Sequence, residues 1–411
     1  MVLSRRDAVV VFLAFAFAYF LSALVRAITA TLAPTLTQEF ALHARDLGLL
    51  AGGYFLGFAL TQLPLGRWLD RHGPRQVLLC FLVAAVAGCA AFALAGSFAT
   101  LLAARVLCGI GLSAGLMAPL TGYRRWLAPQ MQLRANSWML MTGSLGMVAS
   151  TLPVQWLLPV VGWRALFWGL AVLLVLAMAL IAWKVPGWQA TLSAAPAADK
   201  AAGGDDGGYG AVWRHAYFRR MAPMGFFTYG GMIAIQTLWA GPWMVRVAGY
   251  TPGQAATGLF TINLCMLVAF WAWGLLNPRL ARVGYSADWL IARCLPLSFL
   301  VMGAILLAGR GAGAWAWALF CVSCTVAALA QPAVGMAFPS ALAGRALSAY
   351  NLVMFAGIFV VQWGIGLLID GLRALGLDEV DAFRGAMAAY LLASFASWAH
   401  FMRPRRDNRS Q

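Results

Sequence analysis

The sequence predicts an all-α membrane protein of twelve spanning helices, arranged as two six-helix bundles related by an internal repeat. Three observations predict it. Of 411 residues, 62% are hydrophobic and 10% charged, where an average soluble domain carries about 25% charge. The apolar residues gather in run after run of about 20, the length that crosses a hydrocarbon core roughly 30 Å thick. Between the sixth and seventh runs lies "SAAPAADKAAGGDDGGYG", small and polar, which divides the chain into six runs and six. The short alternating segments of an outer-membrane barrel are not seen.

The spans are placed at 8–34, 44–66, 76–96, 98–120, 135–159, 164–184, 222–247, 254–276, 287–309, 313–336, 345–369 and 384–402. This gives an N-terminal bundle over 1–184, a linker over 185–221, a C-terminal bundle over 222–402 and a basic tail over 403–411. The first span begins like a signal peptide, but its apolar character continues to Pro34, beyond a typical h-region, so it is read as an uncleaved helix. The Gly/Ala/Asp linker offers too little apolar area to fold alone and is expected to be flexible.

The net charge of +16 is topological. With both termini inside, the outer connections hold only Arg45, Arg164, Arg246, Arg310, Arg373 and Arg384, while Arg26, Arg105 and Arg293 lie within spans. All other lysines and arginines fall on the inner side, as the positive-inside rule requires of a bacterial-type inner membrane. The lipid bilayer explains this basicity, and nucleic acid is not needed as a partner. The seven cysteines lie in apolar spans. Cys321 and Cys324 form a C-x-x-C mid-helix, without a second pair or nearby histidines, and are read as small buried side chains. His43, His72, His215 and His400 do not cluster, so neither a metal nor a cofactor is expected.

The halves align at an offset of 211 residues. "RANSWMLMTGSLG" (134–146) lies on "RALSAYNLVMFAG" (345–357), and "LDRHG" (69–73) lies on "LARVG" (280–284). After a nine-residue insertion, "GWRALF" (162–167) lies on "AFRGAM" (382–387). Repeats of this kind build secondary transporters, with the solute site near the midplane between them.

"GRWLDRHGPRQ" (66–76) joins the second and third spans. Its Gly66, Asp70, Arg71, Gly73 and Arg75 resemble the loop motif of the major facilitator superfamily, G-x-L-x-D-R-x-G-R/P-R/K, at the place where that motif belongs. "LLAARVLCGIGLS" (101–113) resembles the fourth-helix motif of the same family through Arg105, Gly109 and Gly111, and "GWRALF" is also family-like. The resemblance covers the chain and implies a fold that works by alternating access. It further implies that Asp70 faces the positive N-terminal end of the eleventh helix, near Gly344–Leu347, in the outward-facing state, latching the bundles on the inner side. Gly66 would let the second helix approach a neighbour and Gly73 would allow the tight turn. The plainer alternative is a solvated basic turn that only sets topology. Ala281 stands where the second half would need the matching acid, so the latch is one-sided.

An arginine inside a span costs about 2.5–3.5 kcal/mol on insertion scales and should face protein or a wet cavity. Arg26 shares one helix face with Tyr19, Ser22 and Thr29, a polar stripe suited to a cavity lining. The alternative is an arginine snorkelling outward. Arg105 either adds positive potential to that cavity or braces helix 1 against helix 4. The seventh span carries Tyr229, Met232, Gln236, Trp239 and Trp243 at helical spacing, and Gly241-Pro242 is expected to interrupt it. Asn263, Gln331, Asn351 and Gln362 are buried amides that serve either a solute or interhelical hydrogen bonding. The candidate solute contacts are therefore Tyr19, Ser22, Arg26, Arg105, Gln236, Trp239, Asn263 and Asn351.

Glu39, Asp46, Asp288 and Asp370 all lie near span ends, and no acid sits mid-span. A mid-membrane carboxylate is the usual proton relay, so the coupling partner, a proton or a counter-anion, is left open. The leading reading is a secondary active transporter of a small organic anion. The runner-up is proton-coupled efflux of drugs or metabolites, although the fifth span lacks the Gly-Pro-rich motif of many antiporters. A membrane-embedded receptor or enzyme fits least, without a nucleophile–base pair or a soluble domain.

Overall fold

The computed structural model describes residues 3–188 and 208–403. Most of the expected linker, and the tail beyond residue 403, lie outside the described residues. Every element described is helical, and twelve passes follow one another. We label them α1 (Arg5–Phe40), α2 (44–72), α3 (74–94), α4 (98–126), α5 (129–161), α6 (163–184), α7 (216–246), α8 (Pro252–Arg282), α9 (287–308), α10 (314–336), α11 (Ser340–Ala374) and α12 (Glu379–Met402). A short helix, Tyr209–Arg214, precedes α7 inside the segment expected to be linker. Eight described helices are long and apolar enough to cross a membrane by length and composition alone.

Several ends move from their expected positions for local reasons. The second helix runs on past Gly66 to residue 72 and stops where Gly73 takes φ 76°, a conformation that glycine reaches without strain. Gly162, at φ 71°, separates α5 from α6 in the same way. The fourth pass loosens over 113–116 before resuming as Met117–Trp126. Gly241-Pro242 does not interrupt α7, contrary to expectation: an α-helical stretch, Ala240–Arg246, runs through it. The distortion instead precedes the proline, as the π-helical segments Met224–Tyr229 and Ile235–Trp239. Pro242 lacks the N–H that would bond the carbonyl of Leu238, and the wider turn ahead of it takes up that break.

The repeat seen in sequence is physical. Gly146 of α5 approaches α1 so closely that an added Cβ would stand 2.3 Å from the Phe20 carbonyl oxygen. Its repeat equivalent, Gly357 of α11, meets the Phe226 carbonyl oxygen of α7 at the same 2.3 Å. Likewise Arg164 at the start of α6 donates to the Ala95 carbonyl at 3.2 Å, beyond the end of α3. Its equivalent Arg384 in α12 donates to the Leu306 carbonyl of α9 at 2.9 Å. Ala95 and Leu306 are themselves 211 residues apart. In both halves the repeat thus places a glycine and an arginine in the same job.

We call the end of the molecule that carries the turn at 66–76 the basic face. At the opposite face the bundles are closely joined through the antiparallel pair α2 and α11. A Cβ on Gly48 would stand 2.5 Å from the Gln362 carbonyl oxygen, one on Gly52 2.9 Å from Phe359, and one on Gly366 2.4 Å from the Ala44 carbonyl oxygen. Near the middle, the rings of Phe58 and Phe355 pack at a tilt with centroids 4.1 Å apart. Toward the basic face, Gly66 of α2 and Gly344 of α11 each have open space where a side chain would begin.

Candidate functional site

Arg26 sits mid-way along α1, where α1 meets α5 and α7. It is partly exposed, and its Nη2 finds only the sulfur of Met147 on α5, at 3.7 Å. Its Nε is buried without a hydrogen-bond partner. Tyr54 of α2 and Tyr229 of α7 both lie within the field of its charge. The Tyr19 ring packs where Gly143 of α5 leaves room, an added Cβ there standing 2.5 Å from the ring. Tyr54 and Tyr229 thus bring an aromatic ring from each bundle into the neighbourhood of this guanidinium.

Arg105 stands behind it. The side chain is 1% exposed, and its Nη1 donates to the Val25 carbonyl of α1 at 2.9 Å. The Tyr54 ring faces its guanidinium at 5.2 Å, a cation–π arrangement, while Nε and Nη2 have no hydrogen-bond partner. Of the two roles open in the sequence, this geometry is that of a brace, holding the turn of α1 that carries Arg26. Among the described residues neither arginine forms an ion pair with an acid. Replacing Arg105 with Met is expected to cost about 1.5–3 kcal/mol, the scale of a hydrogen bond to a charged group. A lowered melting temperature of the purified protein checks this.

The other candidates are already partnered. Ser22 turns toward α4 and donates to the Leu112 carbonyl at 3.3 Å. Gln236 donates to Asn263 Oδ1 at 3.0 Å, and Asn263 in turn donates to the Leu259 carbonyl at 2.8 Å. Gln331 donates to Asn351 Oδ1 at 2.6 Å. Trp239 is fully buried with its Nε1 on the Gln362 carbonyl at 3.0 Å. These amides and the indole tie helices of the C-terminal bundle together. Sequence reasoning did not single out Tyr54 or Met147, and an aromatic or thioether mid-span carries no signal that separates it from ordinary packing.

A cavity of about 580 Å³ opens at the face opposite the basic one. Its lining includes Ala30, Thr31, Trp239, His43, Asp370 and Arg373. Ala30 is one helical turn beyond Arg26, so the cavity floor and the arginine are neighbours along α1. At the same face Glu39 accepts from Trp163 Nε1 at 2.7 Å and from Arg164 Nη1 at 2.6 Å. Burial would raise the Glu39 carboxyl, but the Trp163 and Arg164 bonds and the Arg164 charge bring it below its ordinary value. This gives the "GWRALF" motif its task, pinning α1 to α6.

At the basic face, Gly73 turns against the indole of Trp188, which occupies the space a Cβ would need. Arg125 lies over that indole at 4.4 Å. Arg75 donates to the Ala182 carbonyl near the C-terminal end of α6, a favourable place for a cation. Arg71 is exposed, and Asp70 is exposed without a hydrogen bond or ion pair among the described residues. Loss of hydration beside the turn raises the Asp70 carboxyl from its ordinary value, the Arg124 charge pulling the other way.

Twelve helices in two repeated bundles, with a partly buried cation near their junction, define a membrane transporter of the two-bundle kind. The chain matches the Major Facilitator Superfamily model over residues 15–362 and belongs to that family. It is 32% identical over 169 residues to the 4-hydroxybenzoate transporter PcaK of Pseudomonas putida, covering 40% of this chain and 37% of that one. It is 33% identical over 117 residues to the nitrate/nitrite transporter NrtP of a Picosynechococcus species, covering 28% and 21%. The chain thus spans well under half the length of the curated relatives it matches. Among solved structures, a bacterial homologue of the lysosomal transporter Spinster, inward-facing and unoccupied, aligns with a TM-score of 0.76 at 17% identity over 97% of each chain. A D-xylose–proton symporter aligns with a TM-score of 0.76 at 14% identity, over 95% of this chain and 97% of that one. These two likenesses establish the fold.

Proposed function

We propose that this protein is a secondary active transporter of a small organic anion, working by alternating access, with Arg26 as the anion's counter-charge. The observation that carries this reading is the uncompensated charge of Arg26, with Arg105 behind it, at the junction of the bundles. A cation within a span without an acid is costly, and a carboxylate entering from water would supply what the protein lacks. A guanidinium suits it, since its fork can hold both carboxylate oxygens. Tyr54 and Tyr229, in the neighbourhood of Arg26, offer flat apolar rings, which favours an aromatic acid. The partial likenesses to PcaK and NrtP, both carriers of anions by name, point the same way.

The positive-inside rule assigns the basic face to the cytoplasm of a bacterial-type inner membrane, with both termini inside. The described conformation then has α2 and α11 joined at the outer face. The turn at 66–76 would close the inner face in the opposite state, Asp70 meeting the N-terminal end of α11. Purified protein in liposomes, offered 4-hydroxybenzoate, other carboxylates, nitrate and neutral analogues, tests the reading. Saturable carriage of a carboxylate is expected. Carriage of cationic or neutral drugs, with every carboxylate refused, would replace it with the efflux alternative.

A further inference from the structure

α2 and α11 lie antiparallel and touch across the bundles, and their contact ends on one carboxylate. Asp370, four residues before the end of α11, accepts from the backbone N–H of Ala44 at 3.2 Å through Oδ1 and from that of Arg45 at 2.9 Å through Oδ2. Ala44 and Arg45 open the first turn of α2, where backbone N–H groups have no partner within the helix. The positive end of the helix dipole points there. Both carboxylate oxygens are thus spent on the N-terminus of a helix belonging to the other bundle. His43 and Asp46 cap the same turn from within α2, so Asp370 is an added, intermolecule-like clasp rather than the helix's own cap.

The register of the pair extends this to the other end. Ala44 meets Gly366, Gly48 meets Gln362, Gly52 meets Phe359, and Phe58 meets Phe355. Each advance along α2 is matched by a similar retreat along α11. Continued beyond Phe58 at the same rate, Asp70 falls opposite about residue 346, in the second turn of α11, which begins at Ser340. Asp70 and Asp370 therefore hold comparable places: each is an acid near the C-terminal end of one helix, on the side of the pair where the other helix begins. In the described conformation the Asp370 end is engaged and Asp70 is without a partner among the described residues.

We propose that Asp370 is the latch of the face opposite the basic turn, and that Asp70 and Asp370 alternate, each releasing as the other engages. The proposal rests on the alternating-access reading above. It supplies the acid that the repeat lacks at Ala281: the second latch lies at the far end of the contacting helix pair, not at the repeat-equivalent turn. Asp370 also lines the 580 Å³ cavity, so the clasp sits where a solute leaving or entering at that face passes.

The test is a distance measurement, independent of transport. Spin labels on Leu94→Cys and Leu307→Cys report the opening of that face, since both are exposed, at the ends of α3 and α9. Cys80, Cys265 and Cys294, the native cysteines not fully buried, are first replaced with Ala. Asp370→Asn keeps the volume but gives up the charge and one acceptor. It is expected to raise the population open at that face about tenfold to hundredfold, the factor for losing a charge-assisted hydrogen bond. Asp370→Glu, which keeps the charge, should move it less. Asp370→Asn combined with Asp70→Asn should return toward the starting distribution, because both latches are then weakened. Gly366→Ala, which forces α2 and α11 apart beside the same clasp, is the control that the face opens at all. An unchanged distribution in Asp370→Asn, with Gly366→Ala shifting it, would overturn the latch and leave alternating access standing. No shift in any variant would remove alternating access itself, and the latch with it. Should Asp370→Asn not yield monodisperse protein, Asp370→Ser is read by the same criteria.

Discussion

Arg26→Gln is expected to lower transport of the anionic solute by about tenfold to a hundredfold or more, at matched membrane insertion. The reasoning is electrostatic. In the apolar middle of the protein a charge-assisted hydrogen bond contributes roughly 1.5–3 kcal/mol, and each 1.4 kcal/mol is a factor of about ten. Glutamine keeps much of the length and one donor group but not the charge. Arg26→Lys keeps the charge but gives up the two-pronged geometry, so it should fall between wild type and glutamine. Arg105 supplies the contrast: it already holds the Val25 carbonyl at 2.9 Å, so its loss should lower thermal stability first. Initial rates in proteoliposomes over a range of solute concentrations check this, with melting temperatures measured on the same preparations. A loss that appears equally for neutral solutes would mean damage to the fold rather than to the site.

Asp70→Asn is expected to reduce transport to a few per cent of wild type while leaving insertion and folding intact. In the described conformation its carboxyl, although exposed, has lost enough hydration to be raised from its ordinary value, with only the Arg124 charge to offset that. An acid whose folded value is raised carries an unfavourable term when ionised, present above that value and relieved as pH falls through it. Meeting the N-terminal end of α11 would relieve it without protonation, so ionised Asp70 favours the closed basic face. Acidic pH should therefore favour the open basic face in wild type, and Asp70→Asn should lose that dependence. Rates of carriage across pH, in wild type and variant, measure both effects.

The architecture was legible because membrane insertion imposes a length and a composition on every pass, and because the repeat kept its spacing. Gly146 and Gly357 could be paired by counting, and their identical approach to neighbouring carbonyls explains why the spacing survived. Helix ends were less legible, since they depend on single glycines such as Gly73 and Gly162 in left-handed geometry. The distortion of α7 was expected at Gly241-Pro242 and falls before it, because a proline disturbs the carbonyl behind it, not its own position. At the site, Arg26 could be found from cost alone: a charge in a span demands a reason. The amides could not be sorted in advance, because a bond between helices and a bond to a solute ask for the same side chain; Gln236, Asn263 and Asn351 have partners here, while Gln236 Oε1 has none. Asp370 was visible merely as an acid near a span end. Its bond to the first turn of α2 joins residues 326 apart in sequence, which no local pattern records.

The central claim, that Arg26 neutralises a carboxylate between the bundles, is tested most directly by a charge cycle in binding. The affinities of one transported carboxylate and of its uncharged carboxamide are measured on purified wild type and on Arg26→Gln. If Arg26 meets the carboxylate, the acid should lose about 1.5–3 kcal/mol on substitution, the amide should lose far less, and the difference between them is the pair's coupling energy. Equal losses for acid and amide, or none for either, would contradict the account and take Arg26 out of the site.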